Sequence, residues 1–443
     1  MDMLLRGGTV VTCDADDRVV VGDVLVRGRE IAHVGRSPAR AAARTPARVL
    51  DARGCAIIPG FVQAHIHLCQ ALMRGMADDL PLLEWLRTRV WPLEAAHDER
   101  TLGASAELGL AEAMLAGTTT ILDMGTARAH DAVMDACVRS GIRALSGKAM
   151  MDEGDGLPRG LRESTRANLD ESERLARSWQ GSGDGRIGYA WAPRFVLSCS
   201  EALVRGAVER AGARGEIVHT HAAEHPQERD AVRRAFGEDD VAVLHRWGVA
   251  GPRAVLAHCV QLRDDEARAI AHEGTRVVHC PSANLKLGSG IARVAELDAM
   301  GVSLALGADG PPCNNNLDPW TEMRHAALLA KVRSGVTALS ARRTLRLATI
   351  DGARALGLGA LAGSVEAGKR ADLVIVRTDG AHVEPGGDVF SRLVYACGAR
   401  DVRHVLVDGR LVVKDGEHQL LDVDRVKARA RTEARRLVNR AAL

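Results

Sequence analysis

The chain has 443 residues, 46% of them apolar, a length that suits a large barrel with an accessory domain better than one small domain. Lys and Arg (59) nearly balance Asp and Glu (57), and aromatics make up 3%, so neither a steering field nor a stacking platform for nucleic acid is present. No apolar run is long enough to cross a membrane, and nine scattered cysteines without a Cys-x-x-Cys pair imply reduced thiols and a cytoplasmic setting rather than a disulfide frame or a structural zinc site.

The first residues, Met1 to Cys13, read as a strand and turn, without the charged-then-apolar layout of a signal peptide. Leu4 to Val11 and Val24 to Gly35 alternate like short strands, with Gly28-Arg29-Glu30 as a hairpin turn. The Ala/Arg run from Ala39 to Arg48 reads as a solvated loop. Next comes an apolar, partly β-branched strand, Ala56 to Val62, that runs into His65-Ile66-His67. Residues i and i+2 of a strand share a face, so two imidazoles there can share one metal ion. The alternative, two hydrogen-bonded structural histidines, would put two polar rings into one small apolar space.

Strands and helices then alternate. Thr118 to Asp123, Ile142 to Leu145 (running on to Lys148) and Ile187 to Trp191 read as strands, and Asp98 to Ala116 and Ser340 to Leu356 as helices. Four further strands end in ligand-type residues: Val218 to His221, with Glu224 three residues on, Ala254 to His258, Thr275 to His279, and Val302 to Asp309. Strand–helix alternation implies a parallel sheet with helices outside it. In a (β/α)8 barrel the strand ends converge on one face, so five such ends in chain order predict one site. Near the C-terminus Ala371 to Val376 and Val402 to Val413 again read as strands. They are expected to pair with the N-terminal strands into a small β-sandwich domain. The predicted division is 1–57 and 365–443 for the β-domain, with a charged terminal helix over 421–443, and 58–364 for the barrel. No repeat of 20 to 50 residues interrupts this plan.

These motifs resemble the amidohydrolase superfamily over nearly the whole chain. Pro59-Gly60-Phe61-Val62 before His65 and His67, then His221 with Glu224, His258 and Asp309, is similar to the branch that deaminates cytosine, guanine and adenosine. Gly363 to Leu373 is similar to its return into the β-domain. Leu72 to Leu80, Asn284 to Ala292 and Asp309 to Leu317 resemble the deaminases of S-adenosylhomocysteine, methylthioadenosine and 5′-deoxyadenosine. The last of these is the most similar, through Gly147 to Asp152 and Ala192 to Phe195. Gln70 and Pro193 to Ser200 also resemble guanine deaminase, where the equivalent Gln and Arg grip the base.

The resemblance implies His65, His67, His221 and Asp309 as ligands of one divalent ion, zinc or else iron or manganese. An ion with an open position lowers the pKa of a water it holds from 15.7 to roughly 7. No lysine stands at the fourth strand end to bridge a second ion, and Arg194 there would repel one. Glu224 is the expected proton shuttle, with the alternative of a helix-terminal acid held by the dipole. His258 is expected to hold the attacking water, with a fourth nitrogen ligand as the alternative, and Asp309 to accept the second proton. Gln70, Trp85, Glu94, Lys148 and Arg194 are the expected substrate-binding residues. His219 shares the face of His221, but the resemblance places the ligand at the second position. His279 is open between a structural and a pocket role, and His97, His130, His225, His245 and His272 receive none. The expected reaction is hydrolytic deamination of a 6-aminopurine nucleoside to its inosine analogue. Guanine deamination and a triazine-type aminohydrolase or chlorohydrolase reaction are the alternatives. The expected partners are a small purine nucleoside or base and, for an oligomer, copies of the chain itself, with no nucleic acid and no membrane.

Overall fold

The computed structural model describes residues 2–36 and 48–443, so the Ala/Arg run read as a loop lies, apart from Arg48, outside the described residues. In chain order the strands are β1 (Met3–Val11), β2 (Val19–Arg27), β3 (Glu30–Gly35), β4 (Arg48–Asp51), β5 (Cys55–Pro59), β6 (Phe61–Ile66), β7 (Thr118–Met124), β8 (Arg143–Gly147) and β9 (Ala149–Met150). They continue as β10 (Ile187–Pro193), β11 (Ile217–Ala222), β12 (Ala254–His258), β13 (Arg276–His279), β14 (Ser303–Leu306), β15 (Leu373–Arg377), β16 (Val402–Val407), β17 (Arg410–Lys414) and β18 (Glu417–His418).

Strands β6, β7, β8, β10, β11, β12, β13 and β14 pair in that order, all parallel, with β9 extending the edge of β10. Every residue of β6, β7 and β10 is buried, as expected for parallel strands covered on both faces. The ring closes where the Asp309 N–H donates to His65 O (3.1 Å), a parallel bridge between Ile66 and Asp309. That closure needs the glycine before it: a Cβ on Gly307 would lie 2.6 Å from His65 O.

The two chain ends meet in the second sheet, ordered β18-β17-β16-β15-β5-β1-β2-β3, with β4 on β1. β5 and β15 pair antiparallel from Cys55 opposite Arg377 to Pro59 opposite Leu373. The sheet rolls over until β3 reaches the segment before β15, where Ile31 N–H meets Lys369 O and Gly368 N–H meets Ile31 O, each at 2.8 Å. Leu5, Val24, Val26, Ile31, Ile57, Leu373 and Leu406 fill the enclosed core. Only Gly60 separates β5 from β6, so the rolled sheet is anchored at the end of the barrel where strands begin. Arg143, at the start of β8, bonds Asp372 (2.8 Å) and Asp408 (3.4 Å) there, all three buried.

The predicted helix over 98–116 spans Glu99–Leu115, capped by Asp98, whose carboxylate accepts the Thr101 N–H. The terminal helix, Val423–Ala441, lays Val426, Ala430 and Leu437 inward and is tied to the Glu99–Leu115 helix by Arg100–Glu433 (2.5 Å) and Arg429–Glu107 (2.7 Å). The predicted helix over 340–356 divides into Ala341–Leu347 and Ile350–Ala355. The reason is a tertiary contact. Ala348 O accepts the Val62 N–H of β6 (2.8 Å) and so leaves the helical ladder, and Gly352 lets the second half press on Val62. No helix among the described residues is long and apolar enough to cross a membrane.

Arg143→Met leaves the buried Asp372 carboxylate without its guanidinium partner at the floor of the barrel, while Asp408 keeps Arg29 and Arg370 (3.5 Å each). Removing one partner of such a group costs about 3–5 kcal/mol. The expected result is a Tm lower by several degrees with kcat of the folded fraction unchanged, because the opposite face carries the candidate site. An unchanged Tm would show that the cluster is not what joins sheet and barrel.

Candidate metal centre and active site

Five polar side chains from four strand ends meet at the face where the parallel strands finish. His65 is the penultimate residue of β6 and His67 follows the strand, His221 lies in β11, His258 ends β12, and Asp309 follows β14. One donor atom from each of His65, His221, His258 and Asp309 lies within 4.8 Å of all the others. His67 Nε2 joins them at 3.2 Å from His221 Nε2 and 3.3 Å from Asp309 Oδ1, which is also 3.2 Å from His65 Nε2.

The outward nitrogens decide which atoms face the centre. The Nδ1–H of His67 donates to Met124 O (2.8 Å) and that of His221 to Arg194 O (2.7 Å). Carbonyl oxygens only accept, so both rings turn an unprotonated Nε2 inward. His258 Nδ1 lies 2.9 Å from Asn284 Oδ1 and is oriented the same way. Nε2 of both His65 and His258 is buried without a hydrogen-bond partner among the described residues. Burial keeps the four rings neutral, pushing His67 down to about 3 and lowering His65, His221 and His258. Burial opposes ionisation of Asp309, but the polar rings of His65, 3.2 Å away, His258 and His67 favour its charged form and hold its carboxyl well below the usual range. Neutral imidazoles around one carboxylate, with inward lone pairs and no protein donor to satisfy them, form a donor set that fits a divalent cation. Ala223, His258 and Asp309 all take positive φ (50°, 75° and 63°). Three non-glycine residues in that region at adjacent strand ends are strain held by the surrounding structure.

Glu224 is buried beside this group, with Oε2 3.5 Å from His258 Nε2 and Oε1 without a partner. Burial, reinforced by Asp309, raises its carboxyl well above the ordinary value. Its loop is held by two carboxylates that sequence reasoning missed. Glu228 Oε2 accepts the N–H groups of Glu224 (2.9 Å) and His225 (3.4 Å), and Asp240 Oδ2 accepts that of Ala223 (2.5 Å). The acid that caps the helix Pro226–Phe236 is therefore Glu228, and Glu224 stands free of that duty. Asp123, also missed, is the penultimate residue of β7 and accepts from Leu68 N–H (2.8 Å) and Ser146 Oγ (2.6 Å), fixing the turn after His67. The alternation of strands hints at Asp123, and the helix start at Pro226 hints at Glu228 as its capping acid; nothing local marks Asp240.

The pocket over the centre is lined by His67, Gln70, Leu82, Trp85, Leu86, Arg194, Phe195, His221, Glu224, Glu228 and Asp309. Glu94 stands behind the lining, where it accepts two bonds from Arg194 (2.5 and 3.1 Å) and one from Gln70 Nε2 (2.7 Å). Gln70, Glu94 and Arg194 are thus one rigid unit, and Gln70 Oε1 has no hydrogen-bond partner among the described residues. Lys148, expected with the substrate-binding residues, is not brought to the pocket. Its ammonium is buried on Ala127 O and Glu163 (2.6 Å), because the chain after β8 turns toward the segment that carries Glu163. His219 lies one layer below, its Nε2 2.9 Å from His65 Nδ1, and His279 is buried outside the lining.

Residues 56–412 match the model of the amidohydrolase family. The chain is 39% identical over 402 residues to a 5′-deoxyadenosine deaminase of Methanothermobacter thermautotrophicus, covering 90% of this chain and 91% of that one. It is 35% identical over 441 residues to a 5-methylthioadenosine/S-adenosylhomocysteine deaminase of Pelotomaculum thermopropionicum, covering 99% of each. An adenosine deaminase from Xanthomonas campestris, solved with bound zinc, superposes with a TM-score of 0.92 at 34% identity over 99% of each chain.

His221→Ala and Asp309→Asn should each lower the metal content of the purified protein from about one ion per chain toward none, with the far-UV circular dichroism of a folded barrel retained. Full occupancy in both variants, measured by elemental analysis, would remove these residues from the ligand set.

Proposed function

The chain belongs to the amidohydrolase family, and we propose that it is a metal-dependent deaminase that hydrolyses a 6-aminopurine nucleoside to its inosine analogue and ammonia. The observation that carries this reading is the meeting of inward imidazole nitrogens, Asp309 and a buried, raised-pKa Glu224 in one pocket. The deaminases similar to it over nearly its whole length support the substrate class. His65, His67, His221 and Asp309 would hold the ion, and the zinc of the Xanthomonas relative supports zinc. The ion would supply Lewis acidity that makes water a nucleophile near neutral pH.

The chain's own groups manage the protons. Glu224 takes one from the attacking water and delivers it to a ring nitrogen of the base, which makes the carbon bearing the amino group electrophilic. A carboxyl raised by burial suits this exchange, since proton transfer is efficient when the pKa lies near the working pH. His258, steadied by Asn284, presents Nε2 to the same water and sets its direction of approach. As oxygen adds to the carbon, Asp309 accepts the second proton and passes it to the departing amino group. The carbon–nitrogen bond breaks and ammonia leaves. Leu82, Trp85, Leu86 and Phe195 roof the base and keep bulk water out. The barrel of 58–364 is the catalytic unit, and the strands of 1–57 and 365–443 are its support.

One observation favours a second reading. Gln70 Oε1 is an unsatisfied acceptor on a rigid unit with Arg194. Guanine offers ring N–H and amino donors to such an oxygen, so guanine deamination is the competing reaction.

Glu224→Gln should retain its metal and lose about 10²–10⁴-fold in kcat; a variant with wild-type kcat would clear Glu224 of the shuttle role. For the substrate, kcat/KM is compared between 5′-deoxyadenosine, methylthioadenosine, S-adenosylhomocysteine, adenosine and guanine. A 6-aminopurine nucleoside should lead. A guanine value higher by about tenfold, or about 1.4 kcal/mol of transition-state preference, would promote the second reading.

A further inference from the structure

A buried carboxyl outside the pocket joins the two loops that carry Asp309 and the partner of His258. Glu322 lies in the first turn of the helix Pro319–Ser334, in the outer layer, and is 1% exposed. Its Oε2 accepts the Ser282 N–H (3.1 Å), and its Oε1 accepts from Asn314 Nδ2 (2.8 Å). The same Asn314 amide donates to Ala308 O (2.6 Å), the residue before Asp309. Two residues after Ser282, Asn284 receives the His258 ring at 2.9 Å. Hydrogen bonds from Ala308 O through Asn314 and Glu322 to Ser282, and from Asn284 to His258, are thus joined by the chain itself, at Ala308–Asp309 on one arm and along Ser282–Asn284 on the other. Burial pushes the Glu322 carboxyl up to about 7. An apolar side chain would pack at that position without such a desolvation cost, so the group is retained for what it connects.

We infer that Glu322 is a positioning residue of the active site, clamping the loop after β13 to the loop after β14 and so fixing His258 relative to Asp309. The choice of a carboxylate follows from the partners. Both arms of the clamp present N–H donors. A glutamine has one acceptor oxygen, and its amide nitrogen would confront the donor on the other arm. The catalytic consequence rests on the deaminase reading, whereas the clamp itself does not.

The test uses the full-length metal-loaded protein with Glu322→Gln, Asn314→Ala and the double variant. Steady-state kinetics on the best nucleoside are read together with Tm and the ring N–H resonance of His258, identified by its loss in His258→Asn. Each single change should lower kcat about 10–100-fold, as small misplacements of reacting groups do, with KM nearly constant. The His258 resonance should shift. The double variant should be no slower than the worse single one, because the two residues act as a unit. Wild-type kcat in both single variants, losses that multiply in the double variant, or an unmoved His258 resonance would each overturn the clamp. If Glu322→Gln does not fold, Asn314→Ala decides by the same kinetic and resonance criteria. If the wild-type protein turns over no purine nucleoside, the deaminase reading fails, and the His258 resonance in the variants still decides the clamp.

Discussion

The backbone hydrogen bond from Asp309 to His65 is the contact on which the site depends. It joins the first and last strands of the barrel, and in doing so sets the one carboxylate against His65 in β6 and His67 just after it. Gly307 permits the approach and the positive φ of Asp309 completes it. Without that closure β6 and β14 would be free edges, and the donor atoms would be scattered along an open sheet. Ring closure and assembly of the centre are thus one event.

Gathering four imidazoles and two carboxyls in a volume shut off from water is electrostatically unfavourable, and the surroundings answer each part of the cost. Carbonyls of Met124 and Arg194 take the outer N–H groups, so the rings stay neutral and correctly turned. The carboxylates of Glu228 and Asp240 hold the Ala223–His225 loop in its strained conformation. Strained backbone of this kind costs about 1–3 kcal/mol per residue and persists only where neighbours over-determine it. Stability comes from elsewhere, chiefly the buried strands and, at the opposite end, the rolled sheet gathered around Arg143, Asp372 and Asp408. The separation of a stable floor from a strained rim is what a barrel with its chemistry at one face allows.

Recognition is built on the same economy. Arg194 is buried and would be costly alone, but Glu94 keeps it charged and at the same time orients Gln70. The polar wall of the pocket is therefore a preorganised group and not three separate side chains. In the proposed reaction, Gln70 Oε1 and Arg194 are the groups that would discriminate between substrates, because an unpaired buried acceptor is expensive.

Much of this was legible in the chain alone, where local rules apply. Strand–helix alternation announced the barrel, period-2 alternation placed His65 and His67 on one face, and the strand ends at His221, His258 and Asp309 followed from where apolar runs stop. These depend on a few neighbouring residues, and the backbone carries them into three dimensions unchanged. What only the tertiary structure decided is which distant partner each polar atom meets. Lys148 ends a strand as its neighbours do, yet Glu163 and Ala127 O draw its ammonium away from the pocket. Asp240, Asn284 and Glu322 carry no local mark, because their roles exist only through N–H groups and rings brought to them by folding. The helix over 340–356 breaks for the same reason: its periodicity is sound, but Val62 of β6 takes the carbonyl of Ala348. Pattern in a sequence sets the face on which a residue stands; the hydrogen bond it makes there is settled by chain segments tens to hundreds of residues away.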